Sequence, residues 1–223
     1  MKTIEMLTGR TVNHLIPFEG TSFLVHKVML ADLMKLFKLA AKKGIELTLN
    51  STYRSYEDQK TIWNNKVLGL RPVLDSNSKA VDISKKSKEE LLFLILRWSA
   101  LPGASRHHWG TDLDFYDQTE LMPNYKVQLV PSEYEANGPF YNANCWLMEN
   151  MVDFGFFKPY LFDSGGIYPE PWHLSYRPLS ESILEKFTYQ LFLEHLEKSD
   201  FLLKKEAQQH SAEIFRRFVQ LQT

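Results

Sequence analysis

The alternation of apolar and polar positions changes period several times along the chain, and each change marks an element. Leu30, Leu33, Met34, Phe37, Ala40 and Ala41 recur at spacings of three and four, which puts them on one face of a helix. Lys42 and Lys43 suit the negative end of that helix, and Gly44 suits a left-handed stop. Ile45, Leu47 and Leu49 then alternate with Glu46 and Thr48, the pattern of a strand with one buried face, and this strand runs straight into Tyr53-Arg54-Ser55. Residues 57–66 predict a second helix with Ile62 and Trp63 inward, and residues 69–80 an excursion over the surface. Ser87 and Glu90 have capping-box spacing ahead of Leu91, Leu92, Leu94, Ile95 and Trp98, a largely apolar helix that Pro102-Gly103 ends.

Residues 113–116 and 125–130 read as strands, residues 142–154 as a helix with Trp146, Leu147, Met151 and Phe154 on a stripe, and residues 169–176 as the last strand. Residues 1–27 are mixed, with Gly9 and the 17–20 segment as turns. From Ser180 the composition shifts to helix formers: Ile183, Phe187, Leu191 and His195 repeat at four, and a second helix carries Ala207, Ile214, Phe215 and Phe218. The pattern predicts an α+β fold, a small antiparallel sheet with flanking helices. It divides into residues 1–179 and a C-terminal helical extension, residues 180–223, packed on them.

Composition narrows the classes. At 223 residues, with 44% apolar and 24% charged, the chain can bury a core without staples. A net charge of −1 gives no basic field for nucleic acid. No apolar run reaches the roughly 20 residues of a membrane span. The first ten residues lack the apolar stretch of a secretory signal, so the sequence as it stands reads as cytoplasmic, or as envelope-facing if a leader has been removed. The single cysteine, Cys145, rules out an intramolecular disulfide and is expected as a buried, inert thiol within a helix.

Candidate chemistry gathers in three segments. Catalytic zinc sites take three protein ligands and leave a position for water. His107 and Asp114 fit a turn followed by a strand, with Gly110 allowing the bend, and His173 arrives from a distant strand as a third ligand. Glu170, on the same short segment as His173, is placed to take a proton from water, and Arg54 supplies a permanent cation for a carboxylate or an oxyanion. Spacing leaves two choices open. His108 rivals His107, and Asp112, two residues from Asp114 and on the same strand face, is either a rival ligand or an orienter of a histidine. His14, His26, His195 and His210 carry only a structural reading.

These segments resemble the zinc D-alanyl-D-alanine carboxypeptidase family, within the wider group that includes the hedgehog fold. The resemblance rests on Tyr53-Arg54-Ser55 with Gln59, on Ser105 with His107 and Asp114, and on Glu170-Pro171-Trp172-His173 with Tyr176, in the family's order over residues 24–176. It implies one Zn2+ held by His107, Asp114 and His173 in a groove on the sheet, and Glu170 as general base. Arg54 would bind substrate and stabilise the oxyanion, with Ser105 and Gln59 as further substrate contacts. The implied activity is hydrolysis next to D-amino acids in peptidoglycan stem peptides or their fragments. The same fold also hosts cell-wall endopeptidases and dipeptidases, and non-catalytic zinc modules that bind a partner; Glu170 and Arg54 argue against the last. Asp112 stands where the family usually has a small residue and adds negative charge beside the metal. Trp172 alternates away from His173 and is expected in packing.

Overall fold

A computed structural model describes residues 2–119 and 121–220. Its elements run in the order α1 (Lys2–Leu7), β1 (Leu15–Pro17), β2 (Leu24–His26), α2 (Leu30–Ala41), β3 (Leu47–Ser51), α3 (Tyr56–Val67), α4 (Lys88–Leu96), β4 (Asp112–Asp117), α5 (Tyr141–Asn150), β5 (Phe156–Phe157) and β6 (His173–Tyr176). Four short helices follow: α6 (Arg177–Lys186), α7 (Tyr189–Lys198), α8 (Lys204–Gln209) and α9 (Ser211–Ile214). The main sheet has the order β3-β4-β6-β5 with every pair antiparallel, and β1-β2 form a separate hairpin. This is the expected α+β architecture.

The sheet has one apolar and one polar face because side chains alternate along each strand. Leu49, Leu113, Phe115, Leu174 and Tyr176 enter a core with Leu33, Leu36 and Ala40 of α2 and Ala143 and Leu147 of α5. Asp112, Asp114, His173 and Ser175 fall on the other face, in two cross-strand pairs, Asp114 with His173 and Asp112 with Ser175. A second core gathers Leu7, Trp63, Leu92, Ile95 and Trp109 with Ile183, Phe192, Leu196, Ala207, Ile214 and Phe218. The C-terminal helices therefore share their apolar faces with α1, α3 and α4. Helix α6 begins directly after β6 and spans residue 179.

Several expectations need correction. Residues 125–130 form no strand. The backbone N–H groups of Gln128 and Val130 and the Tyr125 hydroxyl donate instead to the buried Glu133 carboxylate, and Leu129 takes a left-handed φ of 54°. The last strand starts only at His173, because Pro169 and Pro171 have no N–H to give a ladder and the His173 N–H turns back to the Glu170 carbonyl. The 142–154 helix stops at Asn150 and continues as a 3₁₀ turn to Phe154. The two C-terminal helices expected from the periodicity are four, followed by a π-helical turn at Phe215–Val219. Cys145 does lie in a helix, but half-buried.

Candidate metal centre

Three structural devices bring the candidate residues together. The bulge between Leu49 and Ser51 ends the regular pairing of β3 with β4 and leads the chain into Arg54. Ser55 then caps α3, its hydroxyl accepting from the Asp58 N–H. A 3₁₀ turn over Arg106–Trp109, closed by Gly110 at φ 68°, carries His107 and feeds β4. A side chain at Gly110 would meet both that φ and Leu15 Cδ2, only 2.3 Å from the position of its Cβ.

His107, Asp114 and His173 each present one ligand-type atom, and these atoms lie within 4.8 Å of one another, all in buried residues. His107 Nε2 is 3.5 Å from Asp114 Oδ2, and His173 Nδ1 is 3.2 Å from Asp114 Oδ1. That second pair is close but poorly aligned: Asp114 Oδ1 and His173 Nδ1 are both buried without a hydrogen-bond partner. Two buried polar atoms left facing each other is costly unless something else satisfies them.

The outer nitrogen of each ring is already engaged. His107 Nδ1 lies 2.8 Å from the Thr52 carbonyl, which can only accept, so the hydrogen is on Nδ1 and the Nε2 lone pair points at Asp114. His173 Nε2 lies 2.9 Å from Asp112 Oδ1, which likewise places the hydrogen on Nε2 and leaves the Nδ1 lone pair facing the cluster. Asp112 is thus behind His173 rather than among the converging atoms. Its oxygens also accept from Arg106 Nε at 2.8 Å and from the Thr111 hydroxyl at 2.7 Å, and Arg106 Nη2 reaches Ser175 Oγ at 2.5 Å. His108 is likewise committed elsewhere: Nδ1 is 2.6 Å from the Arg54 carbonyl and Nε2 accepts from the Gly103 N–H.

Charge at the cluster is short of cations. Burial alone would lower the His173 pKa, yet Asp112 and Asp114 outweigh it and raise it to about 9, so the ring without a metal holds a second proton on Nδ1, and a bound cation would take that proton's place. Burial would raise the Asp112 carboxyl, but Arg106, with His173 and Thr111, holds it well below the usual carboxylate range. Two imidazoles and a carboxylate, with lone pairs converging and tautomers fixed from behind, are the donor set that divalent zinc takes.

Glu170 and Arg54 complete the cleft. Glu170 Oε2 is 3.5 Å from His173 Nδ1, and burial pushes its carboxyl up to about 7, with Asp114 adding to the rise and His173, Arg54 and Lys66 opposing it. Arg54 is held by Gln59 Oε1 at 2.8 Å and Ser51 Oγ at 3.1 Å. Gln59, itself fixed by the Ala100 carbonyl, stands behind Arg54. Arg54, Ser105, His107, Asp114, Glu170 and His173 all line one cleft of about 340 Å³. Trp172 packs in the sheet core, stacked on Trp98 with ring centroids 6.3 Å apart, and its edge contributes to the cleft wall. The Arg106–Asp112–Ser175 network was not foreseen; its one signal was that Asp112 shares a strand face with Asp114.

A small antiparallel sheet bearing a buried His–Asp–His cluster, with a glutamate and an arginine beside it, marks a class of α+β proteins able to hold a metal ion next to a proton-transfer group. Within that class, the chain belongs to the VanY D-alanyl-D-alanine carboxypeptidase family, whose sequence profile matches residues 22–179. It is 32% identical over 121 residues to an uncharacterised Haemophilus influenzae protein, a match covering 53% of this chain and 92% of the relative. Among solved structures it resembles VanYB in complex with D-alanine-D-alanine, with a TM-score of 0.54, 22% identity, and coverage of 83% of this chain and 89% of that one. It also resembles a glutamate-to-alanine variant of a vancomycin-resistance D,D-pentapeptidase VanY in complex with Zn(II), with a TM-score of 0.52, 21% identity, and coverage of 78% and 86%. At these identities the two structures establish the shared fold. Among the described residues no helix is long and apolar enough to cross a membrane.

Proposed function

We propose that this protein is a zinc peptidase that hydrolyses peptide bonds next to D-amino acids, as at the D-Ala-D-Ala ends of peptidoglycan stem peptides or their fragments. The observation that carries this reading is that His107, Asp114 and His173 each bring one ligand-type atom within 4.8 Å of the others, with Glu170 alongside. The Zn(II) and the D-alanine-D-alanine in the two solved relatives support it.

His107, Asp114 and His173 would hold one zinc ion. Bound there, zinc supplies a Lewis acid and makes a water acidic enough to ionise near neutral pH. The chain's own groups do the rest. Glu170, shifted to about 7 by burial, can both accept a proton from water and return it to the departing amine nitrogen at neutral pH. The Arg54 guanidinium, fixed by Gln59 and Ser51, meets the negative charge that develops on the carbonyl oxygen. The Thr52 carbonyl and Asp112 hold the two imidazoles in the tautomers that binding requires. Ser105, in the cleft wall, is a substrate contact, whereas Gln59 acts through Arg54. On this reading residues 1–179 are the catalytic part, and the described C-terminal helices, through residue 220, brace it from the side of α3 and α4.

The test is a set of matched peptides ending in D-Ala-D-Ala or L-Ala-L-Ala, incubated with zinc-loaded protein. Release of D-alanine from the D,D series alone is expected. No hydrolysis of any D-terminated peptide would contradict the reading.

A further inference from the structure

A second cavity, of about 650 Å³, shares Arg106 with the metal cleft and no other lining residue. Small-molecule sites run from roughly 300 to 1,000 Å³, so its size fits one. Only Arg106 and Phe157 of its wall lie within residues 22–179, the part that matches the VanY family. Helix α6, the start of α7 and the segment from Phe215 to Gln220 supply the rest, so the cavity exists only because the C-terminal helices are present. Phe157, Leu184, Tyr189 and Phe215 give it an apolar and aromatic wall, with the Tyr189 and Phe215 rings 5.4 Å apart. Phe215 and Arg216 open the π-helical turn, a rare backbone form that recurs at functional sites.

The polar groups of this wall divide into engaged and unengaged ones. Glu181 pairs with Arg177, which also lies over the Phe157 ring at 4.1 Å, and the Tyr189 hydroxyl meets Ser211 Oγ at 3.1 Å. Glu185 and Arg216 make no salt bridge and no side-chain hydrogen bond among the described residues. Arg106 is only 6% exposed; its Nε donates to Asp112 and its Nη2 to Ser175, while its Nη1 donates to nothing among the described residues. In so buried a residue, an N–H without an acceptor favours a ligand oxygen. Two cations and one carboxylate around an aromatic wall are complementary to a zwitterion with an aromatic body.

We propose that this cavity binds a free aromatic amino acid: Arg106 and Arg216 take its carboxylate, Glu185 its ammonium group, and Leu184, Tyr189 and Phe215 its ring. The site goes beyond the peptidase reading, since neither Glu185 nor Arg216 lines the metal cleft. Arg106 links the two. A ligand carboxylate on Nη1 draws guanidinium charge away from Asp112. Asp112 then presents more negative charge to His173 Nε2 and makes that imidazole a better donor to a cation. Occupancy thus tightens zinc binding; this link rests on the zinc reading, and the amino-acid site does not.

The experiment titrates L- and D-phenylalanine into zinc-loaded protein by calorimetry, with N-acetylphenylalanine and phenylalaninamide as controls. At least one enantiomer should bind saturably, at one per chain. Removing the ammonium charge by acetylation, or the carboxylate charge by amidation, should weaken binding by about 10-fold each. Glu185→Gln and Arg216→Gln should do the same; both positions are exposed, and D-alanine release without the amino acid should be unchanged in either variant. Zinc affinity, read by chelator competition, should rise about 5-fold in saturating phenylalanine, and less in Glu185→Gln at the same concentration. By linkage, zinc-loaded protein should bind phenylalanine more tightly than metal-free protein by the same factor. No saturable binding of either enantiomer, or an affinity unchanged in both variants, would overturn the site. Zinc affinity equal with and without phenylalanine would overturn the link to the cluster. Neither measurement involves hydrolysis, so failure of the peptidase reading alone would leave the site standing.

Discussion

His173 Nε2 lies 2.9 Å from Asp112 Oδ1, on the opposite side of the ring from the nitrogen that faces Asp114. Asp112 is fully buried, and Arg106 neutralises it from behind. A carboxylate in this position raises the basicity of the inner nitrogen and fixes the ring plane. Asp112→Asn should therefore weaken zinc binding by about 10–100-fold, read by competition with a chromophoric chelator. The same change strands Arg106, at a cost of about 3–5 kcal/mol in urea unfolding. The double change Asp112→Ala with Arg106→Met separates the two effects: stability should partly return, and zinc affinity should not. Unaltered zinc affinity in Asp112→Asn would count against the orienting role.

Glu170 contacts the cluster but supplies none of its three converging atoms. Glu170→Gln should reduce hydrolysis by about 10²–10⁴-fold and leave one zinc per chain. Zinc content by atomic absorption, measured on the same sample as turnover, distinguishes this from loss of the metal.

Arg54 depends on its fork as well as its charge. Arg54→Lys keeps the charge but cannot bridge Gln59 and Ser51, so kcat should fall by about 10²–10³-fold with a smaller change in KM. Gln59→Leu should move kcat in the same direction by less, because Ser51 still holds one side of the guanidinium. A Gln59→Leu variant that changes only KM would place Gln59 in substrate contact instead.

Acid should loosen the C-terminal helices. His195 on α7 is buried with Nε2 2.8 Å from the Pro102 carbonyl, and burial, with Arg10 adding to it and the Pro102 bond opposing, lowers its pKa from 6.5 to about 4. The folded state thus refuses a proton that the unfolded chain accepts. This contribution to stability is complete above pH 6.5 and is lost progressively as the pH falls towards 4. The urea midpoint should drop between pH 7.5 and 4.5, and His195→Gln, though less stable at pH 7.5, should show a shallower drop.

Much of the site was legible because its residues sit at turns and strand starts that the sequence marks. Gly110 and the alternation after it placed Asp114 on a strand, and the two prolines around Glu170 marked a constrained segment. What spacing left open was which of two neighbours faces inward. His107 and His108 lie one residue apart on a 3₁₀ turn, and only the carbonyls of Thr52 and Arg54, arriving from a segment far away in sequence, separate their roles. The strand expected at 125–130 failed for a related reason: a single buried carboxylate, Glu133, offers the backbone N–H groups an alternative to a ladder. In the C-terminal part the period-four pattern was real, but it does not register the breaks at Thr188, Leu203 and His210, where caps and a left-handed residue divide one amphipathic stretch into short helices.

The central claim is that one zinc ion at His107, Asp114 and His173 is required for hydrolysis next to D-alanine. Metal-stripped protein titrated with zinc, while D-alanine release from a D-Ala-D-Ala-terminated peptide is followed, tests it most directly. Activity should rise linearly and reach its plateau at one zinc per chain, and His173→Ala should show no such rise. Full hydrolysis by the stripped protein in excess chelator, or a full equivalent of bound zinc with no D-alanine released, would contradict the account.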